Sequence, residues 1–435
     1  MTIQVTSATP ALDVTLTDVD SLTDPQLAEW SRLFDRQQRP ANPFLAPGWV
    51  VPWYITYVPA PERLLLFVRD APSGALIGVA PFYRQRLRVA GVPVAHRLSM
   101  VGGGLSDSPL ELPGLLTSHE HSRRVVREVA AATLKLAGSW SVLTLSPAQC
   151  WFEPEWVHRT GGAGSFVEAH RPRACVILHL GRTWEETRSG LKRNVKESIR
   201  RSHNRLRKQD LPWRVVPRSG DDLDGAAVDR FLRLHRARAN SAISSVQHHD
   251  AYADERHRQF LRGALPDLAR QGLVTLFELE LDGRVVASQL ALHGPGISYV
   301  HSSGFEPEVW DLGAVTVLHT SVIQHAVSRG DDVVNFSPGP NVSKLRWSEE
   351  LWVANDFAYG AGSRDLRVRY ALFSAASTLR KHVSQPRKAL PPAASALDVH
   401  QTARTRTSAG PAVAGAGVAA PTRGPGSSAG ATVPA

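Results

Sequence analysis

Two segments in the second half of the chain combine polar residues with a glycine at the end of a predicted element. The first ends a β-prone run over 297–304, and the second opens a predicted helix over 312–328. Their polar and small residues are His301, Ser302, Ser303 and Gly304, followed by Gly313, Ala314 and Val315. A strand that enters a helix through a glycine turn leaves the first helical amides unpaired, so they can bind a phosphate. A plain helix cap by Asp311 explains the same pattern, and the residues alone leave both interpretations open.

His301 is the candidate general base of the first segment, provided that its side chain faces a substrate cleft. Side chains alternate along a strand, so Tyr299, His301 and Ser303 are predicted on one face and Ser302 on the other. A backbone amide near Ser303 can stabilise a developing oxyanion. Proton removal through water is the alternative to His301, and the sequence leaves the two open.

Two further polar residues follow from the next predicted strand, over 332–337. Asn335 lies on this strand, and its amide cannot act as a base but can orient an amine or a carbonyl. Pro338 and Gly339 end the strand and open a loop that leads to Lys344. The Lys344 ammonium can neutralise a phosphate or carboxylate; without further context a solvent-exposed lysine is the simpler interpretation.

A long helix predicted over 183–208 is strongly basic outside its apolar face. The apolar face is formed by Leu191, Val195, Ile199 and Leu206. The basic residues are Lys192, Arg193, Lys196, Arg200, Arg201, Arg205, Arg207 and Lys208. Such a face can bind the phosphates of a cofactor, a nucleic acid or lipid headgroups, or it can simply be solvated.

The elements that must position these residues alternate between strands and helices, which predicts an α/β (α+β) fold with mixed sheets flanked by helices. In the first half we expect a helix capped by Asp24, a hairpin of strands 63–70 and 75–86, a helix over 118–136 and a strand over 141–146. In the second half the predicted strands are 174–180, 273–281, 285–293, 297–304, 332–337 and 351–360. The helices expected between and after them are 183–208, 222–239, 252–271, 312–328 and 366–382. Asp282-Gly283 between two alternating runs is a strong hairpin signal.

Bulk composition excludes several classes of protein. The chain has 435 residues, a formal charge of +10 and two cysteines, Cys150 and Cys175, which is too few for a disulfide framework or a zinc site. The histidine clusters at 119–121 and 248–250 lack the spacing of a zinc motif, so no metal is expected. The start of the chain lacks a signal-peptide pattern, and no run of about 18 apolar residues predicts a membrane span. A cytoplasmic protein is therefore expected, ending in a disordered Ala/Pro/Gly/Ser-rich tail over 384–435.

Spaced motifs over residues 171–360 resemble the GNAT-type acyltransferase domain of the CelD/BcsL group, a relative of the FemAB-like aminoacyltransferases. The matching pieces are Trp184 with the basic helix, Phe231-Leu232-x-Leu234-His235-x-x-Arg238, Gly283-x-x-Val286-Ala287, Tyr299-x-x-Ser302-Ser303-Gly304-Phe305-x-Pro307, Gly330-x-Asp332-Val333-Val334-Asn335-Phe336-x-x-Gly339 and Lys344-x-x-Trp347. In the first half, Asn42-Pro43-Phe44 and Ile77-Gly78-Val79-Ala80-Pro81 are also similar to the group.

The resemblance implies tandem GNAT-like domains, over 1–165 and 166–383, with the boundary near the glycine-rich loop 161–165. It implies that the strands 297–304 and 332–337 splay apart and hold acyl-CoA, such as acetyl-CoA, between them. The donor would then contact Ser302, Ser303 and Gly304, with its pyrophosphate at Gly313, Ala314 and Val315. The candidate catalytic residues are His301, Asn335 and Lys344.

The resemblance predicts transfer of an acyl group, in the simplest case acetyl, from acyl-CoA to the amine of a small molecule or amino-sugar. One departure favours a different donor. Where GNAT enzymes carry Gln/Arg-x-x-Gly-x-Gly/Ala, this chain has Trp310-Asp311-Leu312-Gly313-Ala314-Val315, without the basic residue. An aminoacyl-tRNA-dependent, FemAB-like aminoacyltransferase is therefore the alternative enzyme. A non-catalytic binder of nucleic acid or a membrane surface, using the basic helix, is the third possibility.

Overall fold

Two β-sheets hold the strands of the described chain. The structure is a computed structural model, and it describes residues 2–4, 12–103, 112–136, 142–145, 166–169, 173–241, 250–354, 357–360 and 364–384. The strands of the first sheet are β1 (Thr2–Gln4), β2 (Leu12–Thr17), β3 (Arg63–Asp70), β4 (Leu76–Val89), β5 (Val92–Met100), β6 (Leu116–Thr117), β7 (Val142–Leu145), β8 (Phe166–Ala169) and β16 (Phe357–Gly360). Those of the second are β9 (Arg173–His179), β10 (Trp213–Arg218), β11 (Val274–Leu281), β12 (Arg284–Gly294), β13 (Ile297–Phe305), β14 (Val333–Pro338) and β15 (Leu351–Ala354).

Both sheets are mixed, as predicted. The first has the order β1-β2-β3-β4-β5-β7-β16-β8, with β6 paired to β4, and its β5–β7 pair is parallel. The second has the order β10-β11-β12-β13-β14-β9-β15, and its β13–β14 pair is parallel. The helices are α1 (Asp24–Asp35), α2 (Pro47–Tyr57), α3 (Ser122–Lys135), α4 (Trp184–Gly190), α5 (Arg193–Arg207), α6 (Gly225–Ala239), α7 (Glu255–Arg270), α8 (Ala314–Ser328), α9 (Val342–Leu345) and α10 (Arg364–Ser384). The predicted class, mixed sheets flanked by helices, is confirmed.

Helix starts and hairpin turns follow the local sequence closely. The side chains of Asp224 and Asp254 cap α6 and α7 by accepting hydrogen bonds from backbone amides of the first turn. At α1 the expected cap is wrong by one residue, because Thr23 is the N-cap and forms a capping box with Gln26. The β11–β12 hairpin is confirmed, with Asp282 and Gly283 both in the left-handed region.

The long helix predicted over 183–208 is two helices, and the single-helix prediction is wrong at Leu191. This residue is extended, with φ −67° and ψ 148°, and it is buried in the core under the second sheet. Gly190 ends α4, and because glycine disfavours a helix interior the break costs little there. Lys192 consequently becomes the N-cap of α5, and its ammonium donates to the Leu345 carbonyl and to Glu349.

The single strand predicted over 351–360 is also wrong. β15 pairs with β9 in the second sheet, whereas β16 pairs with β7 and β8 in the first. Residues 355 and 356 between them lie outside the described part of the chain. The chain thus passes from one sheet to the other, and α10 then packs on β4 and β5.

One buried core contains residues of both sheets and of the helices between them. The apolar helix α2 packs against α7, with the rings of Trp49 and Phe260 in edge contact at 4.9 Å. Phe44, which precedes α2, contacts the ring of Tyr299 on β13 at 4.8 Å. The first half therefore supplies aromatic side chains directly to the second sheet.

Three sequence predictions fall on residues outside the described part of the chain. They are the boundary loop 161–165, the environment of Cys150, and the tail from 385 onward. Two tandem domains with the bounds 1–165 and 166–383 thus stay a prediction. Among the described residues, no helix combines the length and the apolar character needed to cross a membrane, and no group of three metal-binding side chains could hold an ion.

Candidate active site

Strands β13 and β14 separate after three residue pairs. Ile297, Ser298 and Tyr299 pair with Val333, Val334 and Asn335. Beyond Tyr299, β13 continues to Phe305 and β14 to Pro338 without further pairing between them. The predicted gap between the two strands is therefore present, and every candidate residue of the second sheet lies along its edges or at its mouth.

A β-bulge in β13 overturns the predicted alternation of side chains. Val300 pairs with Ala291 and Ser302 with Leu290, so His301 is the extra residue of the bulge. His301 and Ser302 consequently contact the same group instead of facing opposite sides. The Tyr252 hydroxyl lies 2.7 Å from Ser302 Oγ and 3.4 Å from His301 Nδ1, and Ser302 Oγ lies 3.0 Å from His301 Nδ1.

His301 faces the aromatic wall built by the first half of the chain. Its ring centroid lies 6.1 Å from those of Phe44 and of Trp49, and only 7% of the residue is exposed. Burial, reinforced by His235 and Lys344, lowers the pKa of His301 to about 3. The imidazole is therefore neutral at pH 7. Its Nε2 is buried and has no hydrogen-bond partner among the described residues.

Asn335 offers a second buried polar atom on the same face of the sheet. Asn335 pairs with Tyr299 on one side and Ile177 on the other, and both neighbours belong to the core that contains Phe44. Its Oδ1 accepts a hydrogen bond from the Ser337 amide at 2.8 Å. Its Nδ2 has no partner among the described residues although Asn335 is fully buried. A buried donor without an acceptor costs about 1–3 kcal/mol, so the oxygen of a water or of a ligand is the expected partner.

Lys344 is half-buried, which makes its interpretation as a solvent lysine wrong. From α9 its Nζ donates to the Ser337 carbonyl at 3.3 Å, to Ser337 Oγ at 3.1 Å and to the Pro338 carbonyl at 2.8 Å. Burial lowers the pKa of Lys344 to about 8; Cys175 opposes this change and Arg238 adds to it. Ser337 adopts a left-handed φ of 64°, a strained conformation for a residue other than glycine. The end of β14 is thereby bent under the ammonium.

Helix α6 packs on the C-terminal part of β13, and its side chains hydrogen-bond to the Ser303 carbonyl. Arg238 Nη1 donates to the Ser303 carbonyl at 3.0 Å and to Ser303 Oγ at 2.7 Å, and His235 Nδ1 lies 3.1 Å from the same carbonyl. Gly304 permits this approach, because a Cβ there would lie 2.3 Å from the His235 amide nitrogen. Gln289 Nε2 bonds the Ser302 carbonyl at 2.9 Å. The predicted donor-binding residues of β13 are thus already fixed by side chains of the chain itself.

The turn before α8 has the geometry of an anion site. Gly313 is the N-cap, with φ 76° and no side-chain cap, so the alternative of a cap by Asp311 is wrong. Ala314 and Val315 form the first turn of α8, where helical amides point away from the helix. Gly313 also lies close to α5, since a Cβ there would meet Ser202 Oγ at 2.3 Å.

The basic helix α5 lies beside this turn. Arg205 donates to the Asp311 carbonyl at 2.6 Å. Arg201 is exposed and close enough to Arg346 to lower its pKa, after the larger effect of burial. A shallow surface concavity is lined by Arg201, Asn204, Arg205, Arg207 and Lys208. The turn has no cation of its own, and α5 therefore places cations beside it.

Several site residues had no role assigned from the sequence. Phe44, His235 and Arg238 stand in the quoted motifs, so their pattern was visible although their contacts were not. Tyr252 and His319 gave no signal in the sequence. His319 lies on α8 and contacts the rings of Phe336 at 5.6 Å and Trp347 at 5.9 Å, and burial lowers its pKa to about 3.

Residues 193–345, which contain the gap, the turn and the basic helix, match the family model described as an acetyltransferase (GNAT) domain. These residues are therefore similar to a GNAT acetyltransferase domain. The match covers α5 to α9, so it includes all nine candidate residues. No protein in the curated set matches the chain in sequence.

Solved structures share the architecture at low sequence identity. The structure of FemX has 9% identity and a TM-score of 0.53, covering 76% of this chain and 95% of FemX. A conserved protein of unknown function from Bacteroides thetaiotaomicron has 12% identity and a TM-score of 0.48, covering 80% of this chain and all of that one. A tandem GNAT protein from the clavulanic acid biosynthesis pathway has 12% identity and a TM-score of 0.36, covering 81% and 99%. The likeness to FemX shows a common fold.

Proposed function

We propose that the protein transfers an acyl group, in the simplest case acetyl, from acyl-CoA to the amine of a small molecule or amino-sugar. The observation that carries this proposal is the pair of buried polar atoms at the gap, His301 Nε2 and Asn335 Nδ2, neither of which has a partner among the described residues. A buried polar atom without a protein partner is commonly satisfied by water or by a ligand, and at the gap the acceptor would be that ligand.

The reaction requires a neutral amine to attack the thioester carbonyl, after which the carbon–sulfur bond breaks and the thiol leaves. His301 remains neutral because its pKa is about 3, and the unprotonated nitrogen of its ring can accept a hydrogen bond that orients the attacking amine. So weak a base does not keep the proton, and water takes up the proton released by the amine. The hydroxyls of Tyr252 and Ser302 hold His301 Nδ1, which fixes the ring. The edge of β13 beyond Tyr299 has no strand partner in β14 and can present backbone amides to the oxyanion. Asn335 and Lys344 orient the acceptor.

The phosphates of the donor fit the region of the α8 turn. Amides of Ala314 and Val315 would bind the pyrophosphate, and the left-handed conformation of Gly313 shapes the turn. Arg201 and Arg205 of α5 add positive charge beside it. Ser302, Ser303 and Gly304 would line the path of the acyl chain.

A second candidate function, an aminoacyl-tRNA-dependent aminoacyltransferase, is favoured by one observation. Most basic residues of α5 and its C-cap, the helix that contacts the turn through Arg205, are exposed, namely Arg193, Arg200, Arg201, Arg205, Arg207 and Lys208. A row of exposed cations suits a polyphosphate backbone better than the few phosphates of coenzyme A.

Thermal unfolding with acetyl-CoA, longer acyl-CoAs and aminoacyl-tRNA separates the two donors. A ligand at 100 times its Kd stabilises the folded protein by about 2.7 kcal/mol. The acyl-CoA proposal predicts this gain with an acyl-CoA, and thiol release when an amine panel is added. His301→Ala should lower thiol release at least about 100-fold, whereas the exposed His119→Ala should not change it. Stabilisation by aminoacyl-tRNA alone would replace the first proposal by the second.

The proposal also covers the family group of the protein, its domain bounds and its cellular location. The spaced motifs support assignment to the CelD/BcsL group. The two sheets support tandem GNAT-like domains, although the first sheet also takes β8 and β16 from the range 166–383 that we propose for the second domain. A cytoplasmic location is supported by the low cysteine content, since only reduced thiols are expected there.

A further inference from the structure

We propose that the acceptor carries an anionic group, a carboxylate or a phosphate, which Lys344 and Asn335 bind at the end of β14. This inference rests on the proposed acyl transfer and names the class of its acceptor. The shared chemistry is an oxygen anion close to the reacting amine.

The two residues form one connected polar unit. The Ser337 amide donates to Asn335 Oδ1 at 2.8 Å, and the same Ser337 accepts from Lys344 Nζ through its carbonyl and its Oγ. Ser337 is buried and held in a left-handed conformation, so it fixes both partners relative to each other. The orientation of the Asn335 amide is thereby set, with Oδ1 occupied and Nδ2 left as the donor.

The positive charge of Lys344 is not balanced by a carboxylate. Among the described residues, no Asp or Glu forms an ion pair with Lys344, and its three bonded oxygens all belong to Ser337 and Pro338. Asp250 is engaged elsewhere: it lies 3.8 Å from His235 Nε2 and from Arg236 Nε, and it accepts a hydrogen bond from the Tyr252 amide. A half-buried ammonium without a counter-ion is costly, and an anionic ligand removes that cost.

The surroundings strengthen the preference for an anion. Arg238 and Lys344 both act on His319, and Lys344 acts on His301, in each case lowering the pKa of the imidazole. A cationic group of a substrate would be repelled at this place. The amine must nevertheless reach His301 in its neutral form, so the anion belongs on the Lys344 side and the amine on the His301 side. Amino acids, amino-sugar phosphates and similar amine-bearing anions have this arrangement.

Anion binding can be measured before the acceptor is known. Thermal unfolding of the full chain would be followed with sodium acetate and inorganic phosphate, against sodium chloride at constant ionic strength. We expect a saturable rise of the midpoint with acetate or phosphate. Lys344→Met and Asn335→Leu should each weaken the apparent affinity at least about tenfold, while Lys344→Arg should retain it. Lys196→Met is the comparison on α5, because Lys196 is also half-buried and donates to a backbone carbonyl. It should leave the affinity unchanged, and a loss there assigns the anion to α5 and overturns the proposal.

Each result decides for or against the acceptor site. No saturable rise, or an equal rise in Lys344→Met, overturns the proposal, and the second result assigns the anion to another surface such as α5. Repeating the titration with saturating coenzyme A separates the two sources of an anion. Additive stabilisation supports the acceptor, whereas loss of the acetate effect assigns the site to a donor phosphate and overturns the proposal.

A matched pair of amines separates this proposal from acyl transfer itself. Thiol release from acetyl-CoA would be compared between glucosamine and glucosamine 6-phosphate, and between glycinamide and glycine, with each rate expressed per concentration of the neutral amine. Faster release with the anionic member, lost in Lys344→Met, supports the site. Release that is equal or faster with the neutral member overturns the anion site and leaves acyl transfer intact. Anion binding without release from any acyl-CoA overturns the donor assignment instead.

Discussion

Replacing Gly304 by alanine tests the closest approach between a helix and the site strand. The added Cβ would lie 2.3 Å from the His235 amide nitrogen and 2.5 Å from the Leu234 carbonyl carbon. These are backbone atoms of α6, so no side-chain rotation can relieve the contact. Ordinary contact begins near 3.4 Å, and α6 would have to move by about 1 Å. Such overpacking costs about 3 kcal/mol, at the top of its usual range.

The same change should reach the active site. Moving α6 weakens the bonds of His235 and Arg238 to Ser303, so activity should fall together with stability. For residues 1–389, which form one compact unit, unfolding in a single transition with an entropy of about 2.1 cal/mol/K per residue converts about 3 kcal/mol into a midpoint lower by about 4 °C. Differential scanning calorimetry measures this shift.

Gly263→Ala provides the matched control for the glycine test. Gly263 lies within α7, and an added Cβ there meets no atom within 4 Å. Because alanine is the better helix former, this variant should gain about 0.5–1 kcal/mol. If Gly304→Ala unfolds at the wild-type temperature while Gly263→Ala behaves as stated, the close contact between α6 and β13 is refuted.

Three further changes test the site and its supports. Because the pKa of Lys344 is about 8, its charge is present below that pH and lost above it, so kcat/KM, expressed for the neutral-amine form of an anionic acceptor, should fall about tenfold per pH unit above 8. Lys344→Arg should shift this limb beyond pH 10, and an unchanged limb would exclude Lys344 as its source. Gly313→Ala places a side chain at φ 76° and against α5, so donor affinity by calorimetry should fall at least about tenfold, and equal affinity would exclude the turn as a donor site. Glu278→Ala removes a fully buried carboxylate that bridges Arg218 and Arg230, and should cost about 1–3 kcal/mol in urea unfolding, because both arginines are partly exposed and Arg218 keeps Glu280. No measurable loss would contradict its role.

Local features of the fold could be predicted because neighbouring residues determine them. The Asp282-Gly283 turn needs two left-handed residues, and the sequence supplies the two types that tolerate this conformation best. The break between α4 and α5 also has a local signal, Gly190. The strong amphipathic pattern on both sides nevertheless favoured one continuous helix. The strength of a pattern thus does not reveal whether one helix or two carry it.

Features that depend on partner strands could not be predicted. The bulge at His301 exists only relative to the register of β12, which the residues of β13 do not specify. Counting alternate residues therefore placed Ser302 on the wrong face. In the same way, the β-prone run 351–360 gives no sign that its two halves pair in different sheets.

The candidate residues could be predicted because strand ends and glycine turns mark them in the sequence. Their protonation states could not be predicted. The low pKa of His301 arises from burial under Phe44 and Trp49, more than 250 positions earlier in the chain. The half-buried state of Lys344 depends on Ser337 and Pro338 folding back beneath it. Both are consequences of packing between distant segments.

The missing basic residue of the α8 turn shows how far a linear motif can mislead. In the sequence, Trp310-Asp311-Leu312-Gly313 lacks a cation, which argued for a weak phosphate site. In space, α5 lies against the turn, and Arg205, 106 positions earlier, donates to the Asp311 carbonyl. A phosphate at the first turn of α8 would therefore meet cations from a different element, and these cations would contribute through charge while the amides contribute direction. Substituting Arg201 and Arg205 should therefore weaken donor binding and reduce its salt dependence. In a turn with its own basic residue, substituting that single residue would have had this effect.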